Sequence, residues 1–132
     1  MELDNNNHSV FKLFYHLILV TKYRRKVIDD EILEYMIDRF KDIAPKYNIQ
    51  LETMNHDDDH IHILFRAHPN SDLSKFVNVY KSSTSRTIKI KFSRVREQLW
   101  KSMFWTKSYC LITTGGVTTD VIEKYIETQG TK

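Results

Sequence analysis

The chain predicts an α+β fold in the order βαββαβ, and three observations predict it. The spacing of apolar residues alternates between the period of a strand and that of a helix in that order; Asp57, Asp58 and Asp59 separate two strand-like runs; and Pro45 and the Gly115-Gly116 pair stand at seams. A length of 132 residues is that of one ordinary domain, so residues 1–132 are expected to form a single unit. With 41% hydrophobic and 28% charged residues, the composition excludes a disordered or fibrous chain.

Residues 10–20, VFKLFYHLILV, carry apolar side chains on both alternating faces: Leu13, Tyr15, Leu17 and Leu19 on one, Phe14, Ile18 and Val20 on the other. That pattern suits a central strand covered on both sides. From Asp29 the positions Ile32, Leu33, Met36, Ile37, Phe40, Ile43 and Ala44 follow helical spacing, opened by acidic capping residues and closed near Pro45. Residues 48–55, NIQLETMN, and 60–67, HIHILFRA, read as a hairpin joined by the aspartates. Ser71 is the expected cap of a long second helix bearing Leu73, Phe76, Val77, Tyr80, Thr84, Thr87 and Ile88. Between 93 and 107 the periodicity fails, and Trp100, Phe104 and Trp105 are expected to tuck against the core. Residues 108–114, SYCLITT, form a fourth strand, and a last helix over about 118–129 follows the glycine pair, capped by Thr118 or Thr119. The whole is the ferredoxin-like split βαβ plan: an antiparallel sheet, helices on one face, and an added C-terminal helix.

Cys110 is the only cysteine, which excludes an intramolecular disulfide and suits a reducing, cytoplasmic setting. The longest apolar stretch, FKLFYHLILV, is broken by Lys12 and His16 and is too short to span a membrane, and MELDNNNHS has no leader pattern. No membrane is therefore expected. The formal net charge of +3 hides an asymmetry, because residues 73–107 hold nine basic side chains against Glu97 alone, and KYRRK at 22–26 forms a second cluster. Such patches either track a polyanion or make a solvated helix face.

The stretch HDDDHIHILF, residues 56–65, raises a sharper question. Alternate strand residues share a face, so His60, His62, Leu64 and Arg66 point one way and Ile61, Ile63 and Phe65 point into the core. Two imidazoles side by side can hold one divalent ion, or they can pair with the neighbouring aspartates. A metal site would want a third ligand. Tyr125 and Gln129, spaced i, i+4, share one face of the last helix and offer a hydroxyl nucleophile and a carbonyl oxygen. A zinc-peptidase HExxH is absent, and Leu64 stands where a histidine-triad hydrolase needs a third histidine. Cys110 reads as a small core residue and His16 as a histidine satisfied near the core.

Taken in order, YHLILVTKYRRKV at 15–27, DHIHILF at 59–65, SKFVNVYKSSTSR at 74–86, the Trp100 region and YIETQ at 125–129 resemble the HUH single-tyrosine transposases of insertion sequences that move as single-stranded DNA, the IS200-like family. The resemblance runs almost the whole chain. It implies that His60, His62 and Gln129 bind Mg²⁺ or Mn²⁺ and that Tyr125 is the nucleophile. It also implies a homodimer with composite active sites, recognition of DNA hairpins at element ends, and a Gly115-Gly116 hinge before the catalytic helix. Lys22, Arg24, Arg25, Lys81 and Arg86 are the expected phosphate contacts. Two details depart from the pattern: Thr114-Gly115-Gly116 stands where Val-Gly is usual, and three residues follow Gln129, so the helix end is expected to fray. A ferredoxin-like nucleic-acid binding module without catalysis, and a metal-dependent phosphoesterase that uses water, are the competing readings. The first would present aromatics where HIHILF presents histidines.

Overall fold

The structure, a computed structural model, describes residues 4–6, 9–11, 13–99, 103–116 and 119–131. Six strands and four α-helices follow in the order β1 (Asp4–Asn6), β2 (Ser9–Phe11), β3 (Leu13–Val20), α1 (Asp30–Ile43), β4 (Gln50–His56), β5 (His60–Ala67), α2 (Leu73–Lys91), α3 (Ser93–Leu99), β6 (Cys110–Thr113) and α4 (Thr119–Thr128). Four strands form one antiparallel sheet in the order β4-β5-β3-β6, the predicted ferredoxin-like arrangement. The predicted first strand, 10–20, is divided: residues 10 and 11 belong to β2, which pairs with the earlier β1 apart from the main sheet, and only β3 enters that sheet.

Side-chain alternation decides what each sheet face meets. Leu17, Leu19, Ile61, Ile63 and Phe65 are all fully buried against α1 and α2. The buried stripe of α1, Ile32, Met36, Phe40 and Ile43, follows helical spacing, and the Asp29 carboxylate caps the helix by accepting from the Ile32 N–H at 3.0 Å. Helix α2 is capped by Asp72, which accepts from the Lys75 N–H, and not by Ser71. The Ser71 hydroxyl is engaged one residue too early, accepting from the His68 N–H and donating to the Asn48 carbonyl. Phe40, Phe65, Phe76 and Tyr80 pack as an aromatic cluster with centroids 5.1–6.1 Å apart, and the Tyr80 hydroxyl donates to the Met36 carbonyl across the α1–α2 contact.

Strand β4 carries a bulge between Leu51 and Thr53, which is why Leu51 and Met54, three residues apart, can both turn towards the core. The unreadable stretch after residue 93 contains α3 and then Phe104 and Trp105, both buried as expected. Trp105 bridges to Thr21 and donates its indole N–H to Thr84. Trp100 and Thr118 lie outside the described residues.

Candidate active site

The second sheet face carries the polar chemistry. Register fixes its composition: Val20 pairs with His60, Ile18 with His62, His16 with Leu64, and Cys110 with Ile18, all on one side. Helix α4 covers part of this face, with Ile126 packed on Ile18 and Val20, and Ile122, Tyr125 and Cys110 at the margin. Because Ile18 and Val20 are the cross-strand partners of His62 and His60, the helix bearing Tyr125 lies over the histidine face of its own chain.

His60 is held by its sequence neighbour. Its Nδ1 lies 2.8 Å from Oδ1 of Asp59, whose Oδ2 accepts from Arg24 Nε at 3.0 Å. Asp59 is buried; burial alone would raise its carboxyl pKa, but the hydrogen bonds from His60 and Arg24 prevail and hold it below the ordinary value. An ionised carboxylate only accepts, so His60 Nδ1 carries a proton, and Nε2 is the nitrogen that would carry the lone pair in the neutral ring. A carboxylate fixing the tautomer of an imidazole in this way is the arrangement that prepares a metal ligand. His62 is placed differently: its Nε2 lies 2.7 Å from His16 Nδ1, and the two rings are tilted at 4.9 Å between centroids. Burial, then the neighbouring His16 and His60, lowers the His62 pKa, and burial lowers that of His16, so both imidazoles are held neutral.

Tyr125 and Gln129 meet through a residue that the sequence did not single out. Ser108 Oγ donates to Gln129 Oε1 at 3.0 Å and lies 2.9 Å from the Tyr125 hydroxyl. A serine has one proton, so Tyr125 must be the donor to Ser108. The amide orientation is fixed by the same counting: Thr128 Oγ1 donates to the Tyr125 carbonyl and therefore accepts from Gln129 Nε2. The result is a closed chain of donors in which Tyr125 is a neutral phenol, its pKa raised chiefly by burial, against which the neighbouring Ser108 and Thr106 hydroxyls act in the lowering direction. Gln129 does not fray. Helix α4 ends at Thr128, but Gln129 continues into a 3₁₀ turn, Gln129–Thr131, and is 1% exposed.

A cavity of about 420 Å³ opens beside this chain, lined by Lys22, Lys107, Ser108 and Gln129. Two lysines in the lining beside a serine hydroxyl and an amide favour an anion. Lys107 belongs to the basic segment noted in the sequence but had no assigned place. Towards a divalent cation His60 offers Nε2, His62 Nε2 is engaged by His16 and would have to be released, and Gln129 Oε1 keeps a second lone pair while it accepts from Ser108. Among the described residues no three His, Cys, Asp or Glu side chains form a metal-holding group.

The expected phosphate contacts separate into three kinds. Arg25 and Arg86 are exposed, and Lys22 is half-buried at the cavity. Arg24 is half-exposed and committed to Asp59. Lys81 departs from the surface role expected of it: it is buried, and its ammonium donates to the carbonyls of Thr106, Lys107 and Ser108 at 2.8–2.9 Å. Burial lowers its pKa to about 8. Lys81 thus anchors the loop that presents Ser108, rather than facing solvent. The sequence held a signal for this, since Val77, Lys81, Thr84 and Ile88 fall on one helical stripe.

The family described as Transposase IS200 like matches residues 9–129. The ISDra2 transposase TnpA of Deinococcus radiodurans is 33% identical over 132 residues, which is 100% of this chain and 94% of that protein. The transposase for insertion sequence element IS200 of Salmonella typhimurium is 25% identical over 122 residues, 92% of this chain and 80% of its own. A crystal structure of a transposase candidate from Deinococcus radiodurans R1 superposes with a TM-score of 0.84 at 32% identity, covering 96% of this chain and 97% of that one.

Proposed function

The chain belongs to the IS200-like transposase family, and on that premise we propose that it cleaves and rejoins single-stranded DNA through a 5′-phosphotyrosine on Tyr125. The observation that carries this reading is the Ser108 bridge, which joins Tyr125 to Gln129 beside a lysine-lined cavity. Lys22 and Lys107 would receive the scissile phosphate, and Arg25 and Arg86 would track the flanking backbone. His60, His62 and Gln129 would hold Mg²⁺ or Mn²⁺, which when bound offsets negative charge on the phosphoryl oxygens.

In the forward step Tyr125 Oη forms a bond to phosphorus, the bond from phosphorus to the 3′ oxygen breaks, and that oxygen leaves as a 3′-OH after taking up a proton. The phenol proton already points at Ser108, the first acceptor on its way out. Because the phosphotyrosine conserves the ester bond, attack by another 3′-OH reverses the step and regenerates the phenol without a nucleotide cofactor. One tyrosine holds one end and an element has two, so two copies act together, at ends marked by hairpins. Gly115 suits the movement that exchange of α4 would need: it adopts no left-handed conformation, and an added Cβ would meet nothing within 4 Å, so a tight turn does not account for glycine there.

The test is incubation of the wild-type chain and Tyr125→Phe with single-stranded DNA carrying the element's own end, with Mn²⁺ or with EDTA, followed by intact and peptide mass spectrometry. A DNA adduct on the Tyr125 peptide, lost in the variant and in EDTA, is the expected result. Cleavage without an adduct would instead make the protein a water-using phosphoesterase, and binding without cleavage would make it a binding module.

A further inference from the structure

The turn after β3 is strained and clamped. Tyr23 and Arg24 sit consecutively in the left-handed region, at φ 58° and 54°, where a residue with a Cβ is disfavoured. Such a conformation persists only where its surroundings over-determine it. Here they do. The Thr21 N–H donates to the Asp59 carbonyl at 2.9 Å, Thr21 Oγ1 lies 2.8 Å from the Arg25 carbonyl, and the Lys22 N–H donates to the Phe104 carbonyl at 2.8 Å. The Arg24 guanidinium is fixed by buried Asp59, and its Cδ lies so close to Gly130 that an added Cβ there would stand 3.3 Å away. What this clamp holds outward is Tyr23, an aromatic ring at 51% exposure.

A turn with no task beyond reversing the chain would be better served by glycine at a left-handed position. The neighbours of Tyr23 indicate a different task. Lys22 Nζ lies 5.1 Å from the ring centroid, and Lys22 also lines the cavity with Gln129 and Ser108. Arg25 and Lys26, the next cations along the chain, are exposed. An exposed ring set among cations, one residue from the candidate cleavage site, has the composition of a single-strand subsite: a π-face for a base and ammonium groups for the phosphates that flank it.

We propose that Tyr23 is a stacking platform for one unpaired base of the DNA strand next to the scissile phosphate. The proposal rests on the reading of this chain as a single-stranded DNA transposase. The clamp through Asp59, which also orients His60, would keep the stacked base in register with the site.

The test uses fluorescence anisotropy with an unstructured labelled oligonucleotide and a series of the same strand with single abasic positions. Tyr23→Ala should weaken binding roughly tenfold, the scale of one base stacked on an aromatic ring, and Tyr23→Trp should retain it. One abasic position should cost the wild-type chain a similar factor and cost Tyr23→Ala nothing more, because the two losses are one interaction. The salt dependence of binding should stay the same in Tyr23→Ala and flatten in Arg25→Ala. Tyr23→Gly controls for folding: it should melt at or above the wild-type temperature and bind as weakly as Tyr23→Ala. Wild-type affinity in Tyr23→Ala, or an abasic effect that persists undiminished there, would overturn the proposal while leaving the transposase reading intact. So would a change in sedimentation mass with unchanged DNA affinity, which would make the ring a contact between copies. Failure of the wild-type chain to bind any single strand would overturn both.

Discussion

The two faces of one sheet, built from alternate residues of the same strands, are finished in opposite ways. On the α1–α2 side Leu17, Leu19, Ile61, Ile63 and Phe65 are sealed under large aromatics. On the other side Ile18, Val20 and Ile126 make a small apolar island beside His16, His60, His62, Ser108 and Tyr125. Close packing stabilises and leaves no room for a substrate; a short helix on a narrow island holds the candidate site groups in place while leaving them reachable. The difference teaches that stability and chemistry are separated here by strand parity, one residue apart. The separation can be broken or sharpened experimentally.

The largest effect is expected on the sealed face. Phe65→Ala opens a cavity beneath Phe40 and Phe76 and should cost about 3–5 kcal/mol, read by chemical denaturation. Tyr125→Phe, which removes one hydroxyl at a half-buried position, should change stability by less than about 1 kcal/mol while abolishing the DNA adduct. Equal losses of stability in the two variants would collapse the distinction between the faces.

A smaller effect tests a tie that crosses between them. Lys81 sits on α2, a helix of the sealed face, yet its ammonium holds the loop that presents Ser108 to Tyr125 and Gln129. Lys81→Met leaves three carbonyls without their donor and should cost about 1–3 kcal/mol. It should also slow adduct formation, because Ser108 loses its fixed position. A stability loss with unchanged adduct yield would show that the loop is held by other contacts.

Parity is also the part of the molecule most legible in the sequence. The alternation of HIHILFRA fixes which residues face which side, and the i, i+4 spacing of Tyr125 and Gln129 puts them on one helix face, so four candidate site residues are named by local pattern. Ser108, His16 and the role of Asp59 were not legible. Each depends on register: His16 reaches His62 only because β3 and β5 pair with Ile18 opposite His62, and Ser108 reaches the helix only after 93–107 has folded back. Lys81 misleads in the sequence because a lysine in a basic helix suggests solvent, although its place on the buried stripe argues otherwise. The bulge in β4 and the left-handed turn at Tyr23 leave no trace in apolar periodicity, since both are backbone events imposed by tertiary contacts.

The smallest expected effect is on pH dependence, where the two faces should answer with opposite sign. His16 and His62 have lowered pKa values in the folded chain, so between those values and the ordinary 6.5 the unfolded chain binds more protons. Their contribution is fully present above 6.5 and is lost as the pH falls. At the rim of the sealed face, His56 is bonded to Asp30 at 2.7 Å and its pKa is raised, chiefly by that hydrogen bond. Its contribution is present below 6.5 and is lost as the pH rises through the raised value. Melting temperature followed from pH 8 down to about pH 5 should therefore fall less steeply in His16→Gln than in the wild-type chain and more steeply in His56→Gln. If both variants shifted the profile in the same direction, the opposite charge states assigned to the two faces would be wrong.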